Sequence, residues 1–203
     1  MKPREQQRLQ AQQPAKEMAT EKSKSDLVAP ELKPEIDKSW EIINRGKPPA
    51  FCFDWNTPVR LDNIRGYTEI GQIEKGYPVL SRCETTGEIA YKKVLTFFET
   101  EGDCELWGVE YRRSTEGFQQ HGFIEATPEH PFWVEGYGWK AVRDLHIGDL
   151  LLTHDGKRMP VTHVAFSRHT NSVYNLEIED FNTYFVGFEG IWVHNCNPAK
   201  SEV

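Results

Sequence analysis

Three places in this chain carry side chains able to do covalent chemistry: Cys52, the pair Thr127 and His130, and the run His194-Asn195-Cys196. A cysteine thiolate is a strong nucleophile, and histidine is the side chain best matched to proton transfer near neutral pH. Taken singly, each has a structural explanation. A lone buried cysteine usually behaves as a small hydrophobe; Thr127 suits a strand or turn, and His130, followed by a proline, suits a core. An asparagine near the end of a chain means little alone. Together, a nucleophile at the first position of a segment, a Thr/His pair midway and a His-Asn-Cys ending form a pattern that these explanations do not jointly predict.

Elements that must position these residues are legible as short β-branched and aromatic runs punctuated by Gly, Asp and Asn, which predict an all-β domain. The expected strands are Pro78–Cys83, Tyr91–Glu99, Glu105–Tyr111, Phe123–Thr127, Pro131–Val134, Leu150–His154, Val161–Phe166, Ser172–Glu179, Thr183–Phe188 and Gly190–His194. Asp155-Gly156 between two apolar runs signals a tight hairpin, because both residues tolerate positive φ; Thr86-Gly87 plays a similar part. An internal repeat runs at one constant offset: Tyr67, Ile70, Ile73, Gly76, Val79, Leu80 and Ser81 match Trp139, Val142, Leu145, Gly148, Leu151, Leu152 and Thr153. Each copy reads as an aromatic, a short helical turn, a glycine and a strand leading to a hairpin, which predicts a pseudo-twofold β-structure.

Before that domain the character differs. Residues 1–38 hold no aromatic, five glutamines between Gln6 and Gln13, and Pro3, Pro14, Pro30 and Pro34 among alternating charges. Such a segment buries too little apolar area to offset its ordering entropy. The expected organisation is therefore a polar linker with some transient helix over 1–49, a folded domain over 50–196 and a remnant over 197–203, with Lys38-Ser39-Trp40-Glu41-Ile42-Ile43-Asn44 docking one turn on the domain.

The 203-residue chain carries a net charge of −7, from 24 basic and 31 acidic side chains. This argues against a protein that works by neutralising nucleic-acid phosphates or a basic membrane-surface role. No run approaches the roughly 20 apolar residues of a membrane helix, and the N-terminus lacks the apolar core of a secretory signal. Residence in the cytoplasm and export by a specialised secretion system both fit. Cys52, Cys83, Cys104 and Cys196 are spaced too widely for a CxxC zinc site, and reduced thiols are the default.

Segment 52–196 resembles the Hint domains, the self-processing fold of inteins and the hedgehog autoprocessing region, and most of all those of bacterial polymorphic toxins. The resemblance rests on Cys52-Phe53 with Thr57 and Val59, Thr127-Pro128-Glu129-His130-Pro131-Phe132, Gly138-Trp139, Val173-Tyr174-Asn175-Leu176-Glu177, Thr183-Tyr184-Phe185-Val186-Gly187 and Trp192-Val193-His194-Asn195-Cys196. It implies single-turnover autocatalytic cleavage of the backbone without a cofactor, the flanking segments of the same polypeptide being the substrate and a C-terminal toxin cargo, absent from these 203 residues, the released part.

In the chemistry so implied, Cys52 Sγ attacks the carbonyl of Phe51 through a five-membered ring, an N–S acyl shift that turns the peptide into a thioester. Holding the two groups in place supplies on the order of 7–11 kcal/mol of the barrier. His130 is the acid for the departing nitrogen and Thr127 steadies the scissile unit. At the other end the Asn195 side-chain nitrogen attacks its own carbonyl, forming a succinimide and freeing Cys196, with His194 assisting. Relatives commonly carry a second histidine where this chain has Asn182, and small residues where it has Asp54-Trp55-Asn56. The first change removes a proton shuttle; the second is expected to narrow the site and raise the cysteine pKa. Two other readings stay open: an inactive Hint-like module that tethers or presents cargo, and a β-domain binding metal through Cys52, His130, His194 and Cys196.

Overall fold

The computed structural model describes residues 51–61, 66–115 and 118–195. The expected linker, the turn around Trp40 and Cys196 with the residues after it lie outside them. Among the described residues eleven strands run in the order β1 Pro58–Arg60, β2 Tyr67–Glu69, β3 Pro78–Arg82, β4 Ile89–Thr115, β5 Phe118–Ala126, β6 Pro131–Val134, β7 Gly138–Ala141, β8 Leu150–Leu152, β9 Arg158–Ile178, β10 Thr183–Val186 and β11 Ile191–His194. All pairs are antiparallel, along the path β2-β1-β10-β11-β6-β8-β9-β4-β3, with β5 added to β4 and β7 to β6. The expected all-β architecture is what the chain adopts, and among the described residues no helix is long and apolar enough to cross a membrane.

The repeat is structural. In each copy a strand (β2, β7) runs into a 3-10 turn, Ile70–Gln72 or Val142–Asp144, and then to β3 or β8. Ile70 and Val142 are fully buried, as are Val79 and Leu151. Gly76 (φ 88°) and Gly148 (φ 96°) occupy the same left-handed position before the strand. Each donates its N–H to the hairpin partner, Val94 at 2.8 Å and Val161 at 2.9 Å. The correspondence continues upstream, because Ile70 N–H bonds Thr57 O while Val142 N–H bonds His130 O, and Gly71 N–H bonds Trp55 O while Arg143 N–H bonds Pro128 O. Thr57 is thus the counterpart of His130. The copies meet where Phe53 bridges Ala126.

Two differences from expectation concern strand length. Tyr91–Glu99 and Glu105–Tyr111 are parts of one strand, β4, and Val161–Phe166 and Ser172–Glu179 are parts of another, β9. Gly102-Asp103 reads as a turn, yet it forms an irregularity where β4 loses register with β9 between Glu101 and Cys104, Gly102 taking φ 134°. Polar Arg168 to Asn171 also reads as a loop, but an antiparallel ribbon can keep one face in water and needs no apolar alternation there. The short strands β1, β2 and β7 were not expected, since three or four residues carry too little periodicity to detect.

Candidate active site

Phe53, fully buried, is held on two sides. It exchanges backbone bonds with Tyr174 of β9 at 2.8 and 2.9 Å, and Asp54 N–H reaches Glu125 O of β5. This fixes the residue before it. The Cys52 N–H donates to Thr127 Oγ1 at 3.0 Å, and the Thr127 N–H donates to the Cys52 carbonyl at 2.9 Å. The nitrogen of the Phe51–Cys52 peptide therefore rests on the threonine hydroxyl.

The thiol lies in a small apolar cluster with Leu106, Val173 and the partly buried Cys104. Burial pushes its pKa up to about 12; a hydrogen bond with the Thr100 side chain opposes this, and the neighbouring Cys104 adds to the rise. The charge of Asp54 is not among the causes. The Asp54 carboxylate is taken by Arg168 and Asn56, while Trp55 lies edge-on to Tyr174 with ring centroids 5.0 Å apart and covers Gly71. Thr100 and Cys104 were not anticipated, because β4 brings them to the thiol from about fifty residues away in sequence.

His130 is fully buried, its ring 3.9 Å from that of Phe53 between centroids. Burial lowers its pKa to about 3, opposed by the Phe51 backbone and reinforced by the nearby His194. The imidazole is neutral at pH 7. The Phe51 backbone is the polar group that faces the ring, and neither ring nitrogen forms a hydrogen bond of full geometry among the described residues.

β11 carries the C-terminal group. Val193 pairs with Phe132 of β6, and the two strands continue toward Asn195 and His130 respectively. Asn195 is buried, and both side-chain atoms, Nδ2 and Oδ1, are without a partner among the described residues. A buried unpaired polar group costs about 1–3 kcal/mol, which a purely structural asparagine would avoid by pairing. Its backbone N–H is bound at 2.7 Å by the carbonyl of Asn182, whose own backbone is left-handed (φ 52°). Asn182 therefore sits beside Asn195 through its main chain.

His194 faces Thr183 across β10 and β11. Its Nε2 is 2.9 Å from Glu84 Oε1, and the Trp139 indole N–H donates to Glu84 Oε2 at 3.0 Å. Burial alone would raise the Glu84 pKa, but bonds from His194 and Trp139 and the charge of His194 more than offset it and hold the carboxyl below its usual range. Sequence reasoning missed Glu84, since nothing local marks a hairpin-turn glutamate as the partner of a residue in the last strand. The structure thus links Cys52 with Thr127, His130 with Phe53 and His194, and Asn195 with Asn182. Cys196 lies outside the described residues. No group of three or more His, Cys, Asp or Glu side chains that could hold a metal ion occurs among the described residues.

The family described as the pretoxin HINT domain matches residues 61–196. Among solved structures, the chain is similar to a bacterial intein-like domain from Clostridium thermocellum, with 30% identity over 71% of this chain and 98% of that one at a TM-score of 0.60. It shares its fold with a DnaB intein from Synechocystis sp. (17% identity, 72% and 99% covered, TM-score 0.59) and with the gp41-1 intein (21%, 71% and 98%, 0.54). No curated protein matches the chain.

Proposed function

Because this chain belongs to the pretoxin Hint family, we propose that it cuts its own backbone at Asn195–Cys196 and activates the Phe51–Cys52 peptide as a thioester, releasing a C-terminal toxin cargo carried by the same polypeptide. The observation that carries this reading is Asn195: a buried carboxamide without a hydrogen-bond partner among the described residues. Unpaired buried groups are retained where chemistry uses them.

In the N-terminal step, Cys52 Sγ bonds to the Phe51 carbonyl carbon, the C–N bond breaks, and the thiol proton ends on the freed Cys52 nitrogen. A thiol near pKa 12 and an imidazole near pKa 3 begin neutral. His130 therefore cannot arrive as an acid; it takes the thiol proton as the bond forms and passes it to the nitrogen resting on Thr127. With both groups neutral, no ion is buried at the start.

In the C-terminal step, Asn195 Nδ2 bonds to the Asn195 carbonyl carbon and loses a proton, while the bond to Cys196 breaks and the departing nitrogen gains one. No water is consumed, and the products are a C-terminal succinimide and a free amine. His194 is the group for that proton. A second reading, a tether that holds cargo without cutting, is favoured by the raised Cys52 pKa and by the amide at position 182. Intact mass of freshly purified protein separates the two. Autoprocessing requires loss of residues 196–203 that Asn195→Ala abolishes; an uncut mass that persists across pH 5 to 9 supports the tether.

A further inference from the structure

Glu84 lies in the turn between β3 and β4, where Cys83 N–H bonds Glu88 O and Gly87 N–H bonds Cys83 O. The turn is fastened to the strand beside His194. Ser81 Oγ donates to Thr183 O at 2.6 Å, Thr183 Oγ1 donates to Arg82 O at 2.6 Å, and Arg82 N–H donates to Thr183 Oγ1 at 3.2 Å. Thr183 is the cross-strand partner of His194. The clamp therefore sets the distance between residue 84 and residue 194 through hydroxyl-to-backbone contacts that join Ser81 and Arg82, just before the turn, to the cross-strand partner of His194, while Trp139 N–H holds the other carboxylate oxygen and its ring stands edge-on to His194 at 5.1 Å.

We infer that Glu84 is the positioning residue of His194, holding Nε2–H and so fixing the tautomer and orientation of the ring for the C-terminal step, with its charge favouring the protonated ring that serves as the acid. This rests on the autoprocessing reading. It answers a need created by Asn182, which cannot shuttle a proton: His194 gains an anionic partner in place of a second imidazole at position 182. The titratable groups that act on His194 include Glu84 from the β3–β4 turn and His130 at the start of β6. Arg82 is stacked on Trp192, 4.8 Å from its ring centroid. His130 stays neutral, so it leaves His194 free to carry the charge. A carboxylate that holds one imidazole nitrogen fixes both the tautomer and the orientation of the other.

Two measurements on the full chain test this. In an Asn195→Ala background, which cannot cleave, ¹⁵N NMR of the imidazole rings should show His194 protonated at Nε2, with a titration midpoint that falls by about one pH unit in Glu84→Gln. In the cleavable chain, Glu84→Gln should slow release of residues 196–203 about tenfold at pH 7 and move the pH profile to lower pH. Glu84→Asp should recover part of the loss, while the thermal midpoint of all three stays the same. Cleavage by Glu84→Gln at the parent rate and pH profile, or a His194 midpoint indifferent to Glu84, overturns the role of Glu84 alone. A parent chain that never cleaves at Asn195 overturns the autoprocessing reading instead.

Discussion

Cys52 and Thr127 are joined three times, the cysteine N–H donating to the threonine hydroxyl at 3.0 Å, and the threonine N–H and hydroxyl donating to the cysteine carbonyl at 2.9 and 3.4 Å. The contact crosses from the first described segment to the end of β5, so it both closes the fold and holds the peptide that the reading makes scissile. Thr127→Val keeps the shape and deletes the acceptor. A buried N–H left unpaired costs about 1–3 kcal/mol, and the expected result is a lower thermal midpoint together with at least tenfold slower release of residues 1–51 by hydroxylamine. Thr127→Ser should retain both properties, and Cys52→Ala should release nothing.

His130 links catalysis to acid stability. Its pKa is depressed by burial from 6.5 to about 3, so the folded state binds its proton later than the unfolded state. The contribution is fully present above pH 6.5 and is lost as pH falls toward 3, with a limiting slope of about 1.4 kcal/mol per pH unit. Cys52 behaves in the opposite direction: its raised pKa contributes stability below pH 9.0 that is lost as pH rises toward 12. Urea unfolding at pH 7, 5.5 and 4 should show a steep loss for the parent and a shallower one for His130→Leu, which should also lose hydroxylamine-induced cleavage. Parallel stability curves would contradict the buried neutral imidazole.

The two halves of the repeat offer a paired test. Gly76 and Gly148 share a left-handed backbone, and an added Cβ would meet nothing within 4 Å at either. The cost of alanine is then conformational alone, about 1–2 kcal/mol, and should be equal at both positions within a few tenths. Equilibrium unfolding of the two single variants decides it, and a large inequality would mean that the halves are not equivalent at this turn.

Much of this architecture was legible because it is local. Pro131–Val134 is an isolated apolar run beside a turn, Asp155-Gly156 places Gly156 at φ 77° in the β8–β9 hairpin, and the repeat is visible without any knowledge of contacts. Long strands were misread as pairs because the rule of apolar runs ends a strand where its neighbours stop needing burial, although the ladder continues through Cys104–Thr170 and Glu105–His169. The partners of the chemistry were hidden for a different reason. Thr100 reaches Cys52, and Glu84 reaches His194, only through docking of distant strands, and neither residue type is unusual where it stands.

Asn182 bears the last prediction, on the rate of the C-terminal step. Its backbone is left-handed (φ 52°) and its carbonyl accepts the Asn195 N–H at 2.7 Å. Asparagine, aspartate and histidine are the residues most enriched in that conformation, so Asn182→His can be made without breaking the turn. The amide now present donates a hydrogen bond but cannot deliver a proton to the departing nitrogen, and general acid catalysis is typically worth about 10²–10⁴-fold. Asn182→His should therefore accelerate loss of residues 196–203, with a pH dependence centred near the ordinary histidine pKa of about 6.5. Asn182→Gly supplies the control, because it keeps the left-handed backbone and the carbonyl while removing the side chain. It should not accelerate cleavage. Parallel incubation of the three proteins over a range of pH, followed by intact mass, reads all of this at once. Equal acceleration by glycine and histidine would point to backbone freedom at the turn, and no acceleration with the fold intact would mean that position 182 does not face the scissile bond.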